Sequence, residues 1–279
     1  MPRLGKVEYW LVTLALLGIS AAFLTPFAVS LIMSVKTPAE LNTTDIWALP
    51  QSPTIANYQE MLANPNVDFM QLLQNTILIA TFSTLGAVVS SAMVAYAFAR
   101  LKFIGRDKLF IILLSTMMLP GVVTMIPTYV IFKHLHWVNT FLPLTVPAFL
   151  GGGAFNIFLM RQFLKSIPMD LDEAAKLDGA SHWLIFWRIL MPLSGPALAT
   201  VGVFTFIGAW RDFLGPLLYL NDVEKQTLEL GLNTYTSMQT TAPWHLIMAG
   251  SVLVMLPLIV IFIFGQRYFV KGITMTGIK

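Results

Sequence analysis

Six long stretches of this 279-residue chain carry almost no charged side chains, and they limit its fold more than any other feature. A helix needs about 20 apolar residues to cross the hydrocarbon of a bilayer, and each stretch reaches that length. The composition agrees, because 56% of the residues are hydrophobic, 11% are charged and the mean hydropathy is +0.73. The sequence predicts an all-α integral membrane protein with six transmembrane helices near residues 9–35, 69–99, 109–132, 134–160, 189–210 extended to about 220, and 243–266.

Several kinds of chemistry find no support in the sequence. The chain has no cysteine, which excludes disulfides and thiolate metal ligands. It has no glycine-rich phosphate loop with a lysine, and the three glycines at 151–153 lie inside an apolar stretch, so we expect no ATP site on this chain. No Ser/His/Asp or paired-carboxylate arrangement lies at membrane depth, which argues against a catalytic site.

Neither the charge nor the histidines indicate another kind of ligand. The net charge of +3 is the basic excess expected of a membrane protein and does not indicate nucleic acid. The histidines are isolated or lack nearby carboxylates, so we expect no metal site; they are His134, His136, His182 and His245.

Lysine and arginine residues outside the spans are divided unequally between the two sides of the predicted membrane. Cytoplasmic loops carry an excess of these residues. One side holds only Lys36, Lys133 and Lys225. The other side holds Arg3, Lys6, Arg100, Lys102, Arg106, Lys108, Arg161, Lys165, Lys176, Arg188, Arg267, Lys271 and Lys279. Both termini, including the tail 267–279, are therefore predicted to be cytoplasmic, with the first stretch kept as a span because it is too long for a cleaved signal peptide.

The segment 36–68 is the longest connection on the opposite, external side. Its three prolines and its polar residues predict an ordered cap of turns with one short helix near residues 57–62. Such a cap suits contact with a secreted partner, and a passive loop between two spans is the alternative.

Residues 169–192 lie in the longest connection on the predicted cytoplasmic side and do not suit the membrane interior. Asp170 and Glu173 have the spacing of a capping box, Gly179 suits a left-handed stop, and Ser181 suits the cap of a second helix. The second helix carries an apolar stripe of Trp183, Phe186, Trp187 and Leu190. The pattern predicts a helix, a glycine bend and a second helix, and it also fits an interfacial helix that only anchors a loop in the headgroups.

The same segment resembles a known motif. The residues Glu173, Ala174, Ala175, Asp178, Gly179 and Ala180, followed by Phe186, Ile189 and Pro192, are similar to the EAA loop of ABC importer permeases. The resemblance implies that the loop docks into a cleft of an ATPase subunit and couples ATP hydrolysis to transport. The residues that it assigns to this coupling surface are Leu171, Glu173, Ala174, Ala175, Asp178, Gly179, Ala180, Phe186 and Pro192.

Polar side chains inside the spans indicate a possible substrate pathway, because they are costly in lipid unless they face protein or water. Asn75 lies in a polar outer half of the second stretch, and Trp210, Arg211 and Asp212 lie in the fifth. A tryptophan beside hydrogen-bonding groups suits a sugar, since the apolar face of a sugar ring stacks on an aromatic ring. The alternative is a buried ion pair between subunits together with an interfacial tryptophan belt.

Two further segments resemble the smaller permease of maltose-type carbohydrate importers. They are the basic tail 266–274 and the fifth-stretch residues Phe206, Trp210, Asp212, Phe213, Leu214, Pro216 and Leu217. The resemblance implies a single permease domain over residues 1–279 in a bacterial or archaeal cell membrane. It also implies a second homologous permease, two ATPase subunits that hold ATP and magnesium, an extracytoplasmic solute-binding protein and a sugar substrate, with no cofactor on this chain.

Other functions remain open at this point. Arg211 stands where carbohydrate permeases often have Asn, which leaves a permease for glycerol phosphate or another non-sugar solute as an alternative. A secondary transporter or channel is a third hypothesis, and it would require an intramembrane carboxylate or proton relay. The fifth stretch offers only Asp212 for that purpose.

Overall fold

The computed structural model describes residues 5–64, 67–238 and 243–275, and this part of the chain is helical without any strand. The α-helices are α1 (Lys6–Ser34), α2 (Pro38–Thr43), α3 (Ala56–Leu62), α4 (Phe69–Arg100), α5 (Arg106–Thr116), α6 (Gly121–His134), α7 (Leu142–Thr145), α8 (Ala154–Ser166), α9 (Asp170–Leu177), α10 (His182–Leu184), α11 (Met191–Leu193), α12 (Gly195–Trp210), α13 (Leu214–Tyr219), α14 (Leu228–Met238) and α15 (Trp244–Met275). Tighter 3₁₀ turns follow α7 at Val146–Phe149 and precede α14 at Val223–Lys225, and a π-helical turn, Ile185–Leu190, joins α10 to α11.

Among the residues that the structure describes, four helical segments are long and apolar enough to cross a membrane: Val7–Ser34, Phe69–Arg100, Leu142–Ser166 and Trp244–Gln266. Two further pairs of helices qualify only together, because each helix alone is too short, and both pairs are sharply bent. Arg106–Thr116 and Gly121–His134 meet at 98°, and His182–Leu193 and Gly195–Trp210 meet at 78°. The all-α membrane prediction is confirmed, and the count reaches six when each bent pair is taken as one span.

Two of the predicted span limits were wrong. The fourth span begins at Leu142 instead of residue 134, because His136 and Asn139 adopt positive φ and turn the chain before it. The Asn139 side chain then accepts from the backbone N–H groups of Asn221 and Asp222, which holds this turn as a loop. The fifth span does not continue to residue 220, because its helix ends at Trp210 and α13 starts separately at Leu214.

Chain contacts divide the protein into two compact units. The first comprises residues 1–69 and 232–257, and the second comprises residues 70–231 and 258–279. The first unit contains the segment predicted to be external, where the Asn57 amide donates to the carbonyls of Ser34 and Lys36, both at 2.8 Å. The Lys36 ammonium is buried and donates to the Asp45 carbonyl at 2.9 Å. The short helix predicted near residues 57–62 is present as α3, and α2 is a second short helix in this segment that the sequence analysis did not predict.

In the second unit, α4 compensates for a break in the fourth span. Three successive glycines with positive φ, at 151–153, separate the turns after α7 from α8. The hydroxyls of Ser83 and Ser90 on α4 donate to the carbonyls of Leu144 and Ala148, at 2.7 and 2.8 Å. Asn156 donates to the carbonyl of Gly152 at 2.7 Å. These bonds satisfy backbone groups that the break removes from the helical ladder, as a lipid environment requires.

Gly152 lies against the backbone of α4, so we expect Gly152→Ala to prevent stable folding. Its φ is +69°, and an added Cβ would overlap the carbonyl oxygen of Ala87. Gly208 is the matched control, because it is helical and an added Cβ there meets nothing within 4 Å. Gly208→Ala should change the free energy of unfolding by no more than about 1 kcal/mol. Thermal unfolding of both variants in mild detergent tests this expectation. Equal stability of the two variants would contradict the close contact between Gly152 and the backbone of α4.

Candidate functional site: a helix–glycine–helix module and buried polar residues

The segment 169–192 folds as a helix, a glycine bend and a second helix. The first helix is α9, Gly179 follows with φ +82°, and the second helix runs over His182–Leu193. The Ser181 hydroxyl accepts from the Leu184 N–H at 3.3 Å and caps the second helix. The predicted arrangement and the Ser181 cap are confirmed.

The predicted capping box at Asp170 was wrong. Met169 is the first flanking residue of α9, and its backbone is already helical at φ −70° and ψ −23°. The Met169 carbonyl accepts from the N–H groups of Asp172 and Glu173, and no side chain caps the helix. Asp170 therefore lies inside the first turn of α9, where its negative charge interacts favourably with the positive end of the helix dipole.

The coupling residues inferred from the motif divide between two faces of this module. Those with exposed positions are Leu171, Glu173, Ala174, Asp178, Gly179 and Pro192, and Ala180 is half-buried. Ala175 and Phe186 are buried in the core of this chain. The latter two hold the module in place, and the exposed set forms a surface open to a partner.

Two exposed apolar residues of this surface were not in the motif-based set. Leu177 is 90% exposed at the end of α9, and Trp183 is 61% exposed at the start of the second helix. The ring of Trp183 packs edge-on against Trp187, with centroids 5.7 Å apart. Leu177 lies two residues after the buried Ala175 and so on the opposite face of α9, whereas Trp183 belongs to the same apolar stripe as Phe186 and lies at the exposed start of the second helix.

The inner face of the module is fastened to the last turn of α4. The Arg100 guanidinium forms an ion pair with Asp172, Nε to Oδ2 at 3.2 Å, and the two side chains are only 3% and 4% exposed. Arg100 also donates to the Ile167 carbonyl at 2.9 Å and contacts the sulfur of Met169. One turn earlier, the Tyr96 hydroxyl lies 3.1 Å from His182 Nδ1 and donates to the His182 carbonyl at 3.2 Å.

The predicted pathway residues have partners of their own within the second unit. Asn75 is buried, donates to the carbonyls of Glu224 and Gln226 at 2.8 and 2.9 Å, and accepts from Gln71. Trp210 is 1% exposed and stacks on Phe206, with centroids 5.5 Å apart. Both side chains are therefore held in the fold, and their contact with substrate stays a prediction.

Arg211 and Asp212 lie in the turn after α12. The Asp212 carboxylate accepts from the Gly215 N–H at 3.0 Å, which stabilises the start of α13. The Arg211 residue is exposed. Within the described residues the two side chains do not form an ion pair with each other, as their adjacent positions predict.

The apolar helices, together with the helix–glycine–helix module that leads into the fifth span, agree with the membrane subunit of a transport system. A family model described as the binding-protein-dependent transport system inner membrane component matches residues 87–275, and the chain belongs to this family. The resemblance to ABC importer permeases is thereby confirmed.

Curated relatives match the chain over most or nearly all of its length. The probable starch degradation products transport system permease protein AmyC of Thermoanaerobacterium thermosulfurigenes is 34% identical over 278 residues, which is 99% of each chain. The trehalose/maltose transport system permease protein MalG of Thermococcus litoralis is 33% identical over 226 residues, or 81% of each chain.

A solved structure also matches. One chain of a bacterial ABC transporter involved in the import of the acidic polysaccharide alginate is similar with a TM-score of 0.85 and 25% identity, over 96% of this chain and 100% of that one. The protein is therefore a multi-pass membrane permease subunit of an ABC importer, a transport component and not an enzyme.

Because Asn75 ties α4 to the turn before α14, we expect Asn75→Ala to lower the free energy of unfolding. The carbonyls of Glu224 and Gln226 would each lose their side-chain donor, at a cost of about 1–3 kcal/mol. Asn221→Ala is the control, because Asn221 is exposed and its bond to Asn139 comes from the backbone. Thermal unfolding of both purified variants measures the difference. If Asn75→Ala had the same stability as the unaltered chain, the role of Asn75 in tying α4 to this turn would be contradicted.

Proposed function

We propose that this permease subunit imports a sugar or oligosaccharide together with a second homologous permease, two ATPase subunits and an extracytoplasmic solute-binding protein. The ATPase subunits would hold ATP and magnesium, and this chain would hold no cofactor. The sugar assignment is supported by the names of the relatives, which transport starch products, trehalose or maltose, and by the alginate importer. The complex would work in a bacterial or archaeal cell membrane.

The exposed module is the observation that carries the coupling role. Its outer surface combines small residues, Ala174 and Gly179, with the apolar Leu177 and Trp183. A Cβ added at Gly179 would meet nothing within 4 Å in this chain, so the space beside it is free for a partner's surface. Closure of the ATPase pair would push on this surface and move the attached spans between two packed states.

A second candidate substrate is an anionic solute. The exposed Arg211 at the end of α12 favours it, since a guanidinium binds carboxylates and phosphates in a bidentate manner. Glycerol phosphate and an acidic sugar both have this chemistry. Uptake of neutral and anionic oligosaccharides by the reconstituted importer, with glycerol phosphate in parallel, separates the two substrate classes.

The proposed orientation places both termini and the module in the cytoplasm, and the absence of cysteine makes it directly testable. Ile104, between α4 and α5, and Leu49, in the external segment, are both highly exposed. We expect a membrane-impermeant maleimide to label Leu49→Cys in intact spheroplasts and Ile104→Cys only after permeabilisation. The unaltered chain is the control for background labelling, and the opposite pattern would invert the orientation.

Docking at Gly179 predicts that Gly179→Glu releases the ATPase subunits. Gly105 provides a matched control, because its φ is also +82° and an added Cβ there also meets nothing within 4 Å. Both substitutions carry the same backbone strain, so only a contact with another chain distinguishes them. The ATPase subunits should co-purify with Gly105→Glu and be reduced at least tenfold with Gly179→Glu. Equal recovery of the ATPase subunits from both variants would refute close docking at Gly179.

A further inference from the structure

The attachment of the module to α4 has two points, one for each of its helices. Tyr96 and Arg100 are four residues apart, so they share one face at the end of α4. Arg100 holds α9 through Asp172, and Tyr96 holds the second helix through His182. The two contacts therefore lie on opposite sides of the Gly179 bend.

Apolar packing continues between these two points. The Tyr96 ring lies 5.3 Å from the ring of Phe186, centroid to centroid. Residues of α4, of α9 and of the second helix share one buried cluster, which includes Ala92, Ala95, Tyr96, Ala175, Ile185, Phe186 and Leu190. The inner face of the module is thus continuous with the core around α4, and close-packed cores transmit displacement with little compression.

The position of Gly179 explains why two attachments matter. Its left-handed backbone stands free, since a Cβ there would meet no atom within 4 Å. A module held only through α9 would be able to turn about this glycine and absorb a push. A module held on both sides of the bend has no such freedom, because turning would break either the ion pair or the hydroxyl contacts.

We propose that Tyr96 and Arg100 are positioning residues that fasten both helices of the coupling module to α4, so that a displacement of the module moves this span directly. The proposal rests on the proposed docking of ATPase subunits to the module. It assigns the efficiency of coupling to two side chains outside the module itself. Loss of either contact would leave ATP hydrolysis in place and lower the transport obtained from it.

The test uses the complete importer reconstituted in liposomes, with its partner permease, ATPase subunits and binding protein. Three quantities are measured for each variant: recovery of the ATPase subunits, the rate of ATP hydrolysis, and substrate imported per ATP hydrolysed. Tyr96→Phe is the first variant, because it keeps the ring that packs on Phe186 and removes only the hydroxyl. We expect normal recovery of the ATPase subunits, with import per ATP reduced at least threefold.

The ion pair is tested by charge reversal. Arg100→Asp and Asp172→Arg should each reduce import per ATP at least tenfold, and the double variant should recover most of it, since the buried charges are paired again. The exposed pair Arg106 and Asp107, Nε to Oδ1 at 3.0 Å, is the control. Reversal of that pair should leave all three quantities unchanged, because its side chains are 30% and 71% exposed.

The outcomes separate this proposal from the docking hypothesis. If the unaltered chain recovers no ATPase subunits, the proposed function fails. If it recovers them and transports, and Tyr96→Phe imports as much per ATP as the unaltered chain, the two-point attachment is overturned. If a single charge reversal prevents assembly, the result for Tyr96→Phe alone tests the two-point attachment, because this variant removes no charge and keeps the packed ring.

Discussion

Backbone groups inside a bilayer have no water to bind, and the second unit of this protein is built around that constraint. Breaks in the apolar helices expose carbonyls that need donors, and α4 provides them from one face. Ser83 and Ser90 lie two turns apart and reach the carbonyls of Leu144 and Ala148. Between them, Gly152 packs against the Ala87 backbone, where only a glycine fits. The fourth span can therefore contain irregular backbone because an uninterrupted helix lies beside it.

The same helix also holds the helix–glycine–helix module. The last two turns of α4 carry Tyr96 and Arg100, which hold this module through His182 and Asp172. A buried ion pair of this kind contributes little net stability relative to apolar packing, because both charges lose water. The ion pair instead fixes geometry. Any position of the module that separates Arg100 from Asp172 leaves a buried charge unpaired, which is costly, so one position relative to α4 is favoured.

The sequence was sufficient to predict what depends on local patterns. Charge-free stretches located the spans, the glycine and serine at 179 and 181 located the bend and the second helix, and the motif located the exposed module. The start of the fourth span could not be predicted, because hydropathy does not register the positive-φ turns at His136 and Asn139.

Contacts between distant residues were beyond the reach of the sequence pattern. The sequence analysis used Arg100 only as one of the basic residues on the predicted cytoplasmic side. It assigned no role to Asp172, which precedes Glu173 of the motif. Only the fold brings them to 3.2 Å. For the same reason, the motif assigned Ala175 and Phe186 to the docking surface, although they pack inside the chain. A family motif marks residues of importance, and it does not distinguish the face that meets a partner from the face that meets the core.

The different connections of the module decide which span a displacement reaches first. Toward α12, the chain passes through the π-helical turn Ile185–Leu190 and a 78° bend beside Ser194, and both are features at which a helix deforms readily. Toward α4, it is held by an ion pair and hydroxyl contacts, and the close-packed cluster of its inner face includes Ala197 and Val201 of α12 as well as residues of α4. A partner changes the populations of two states only through contacts that differ between them. The apolar cluster therefore joins the module to both spans, and under the two-point attachment the ion pair and the hydroxyl contacts give α4 the stiffer connection.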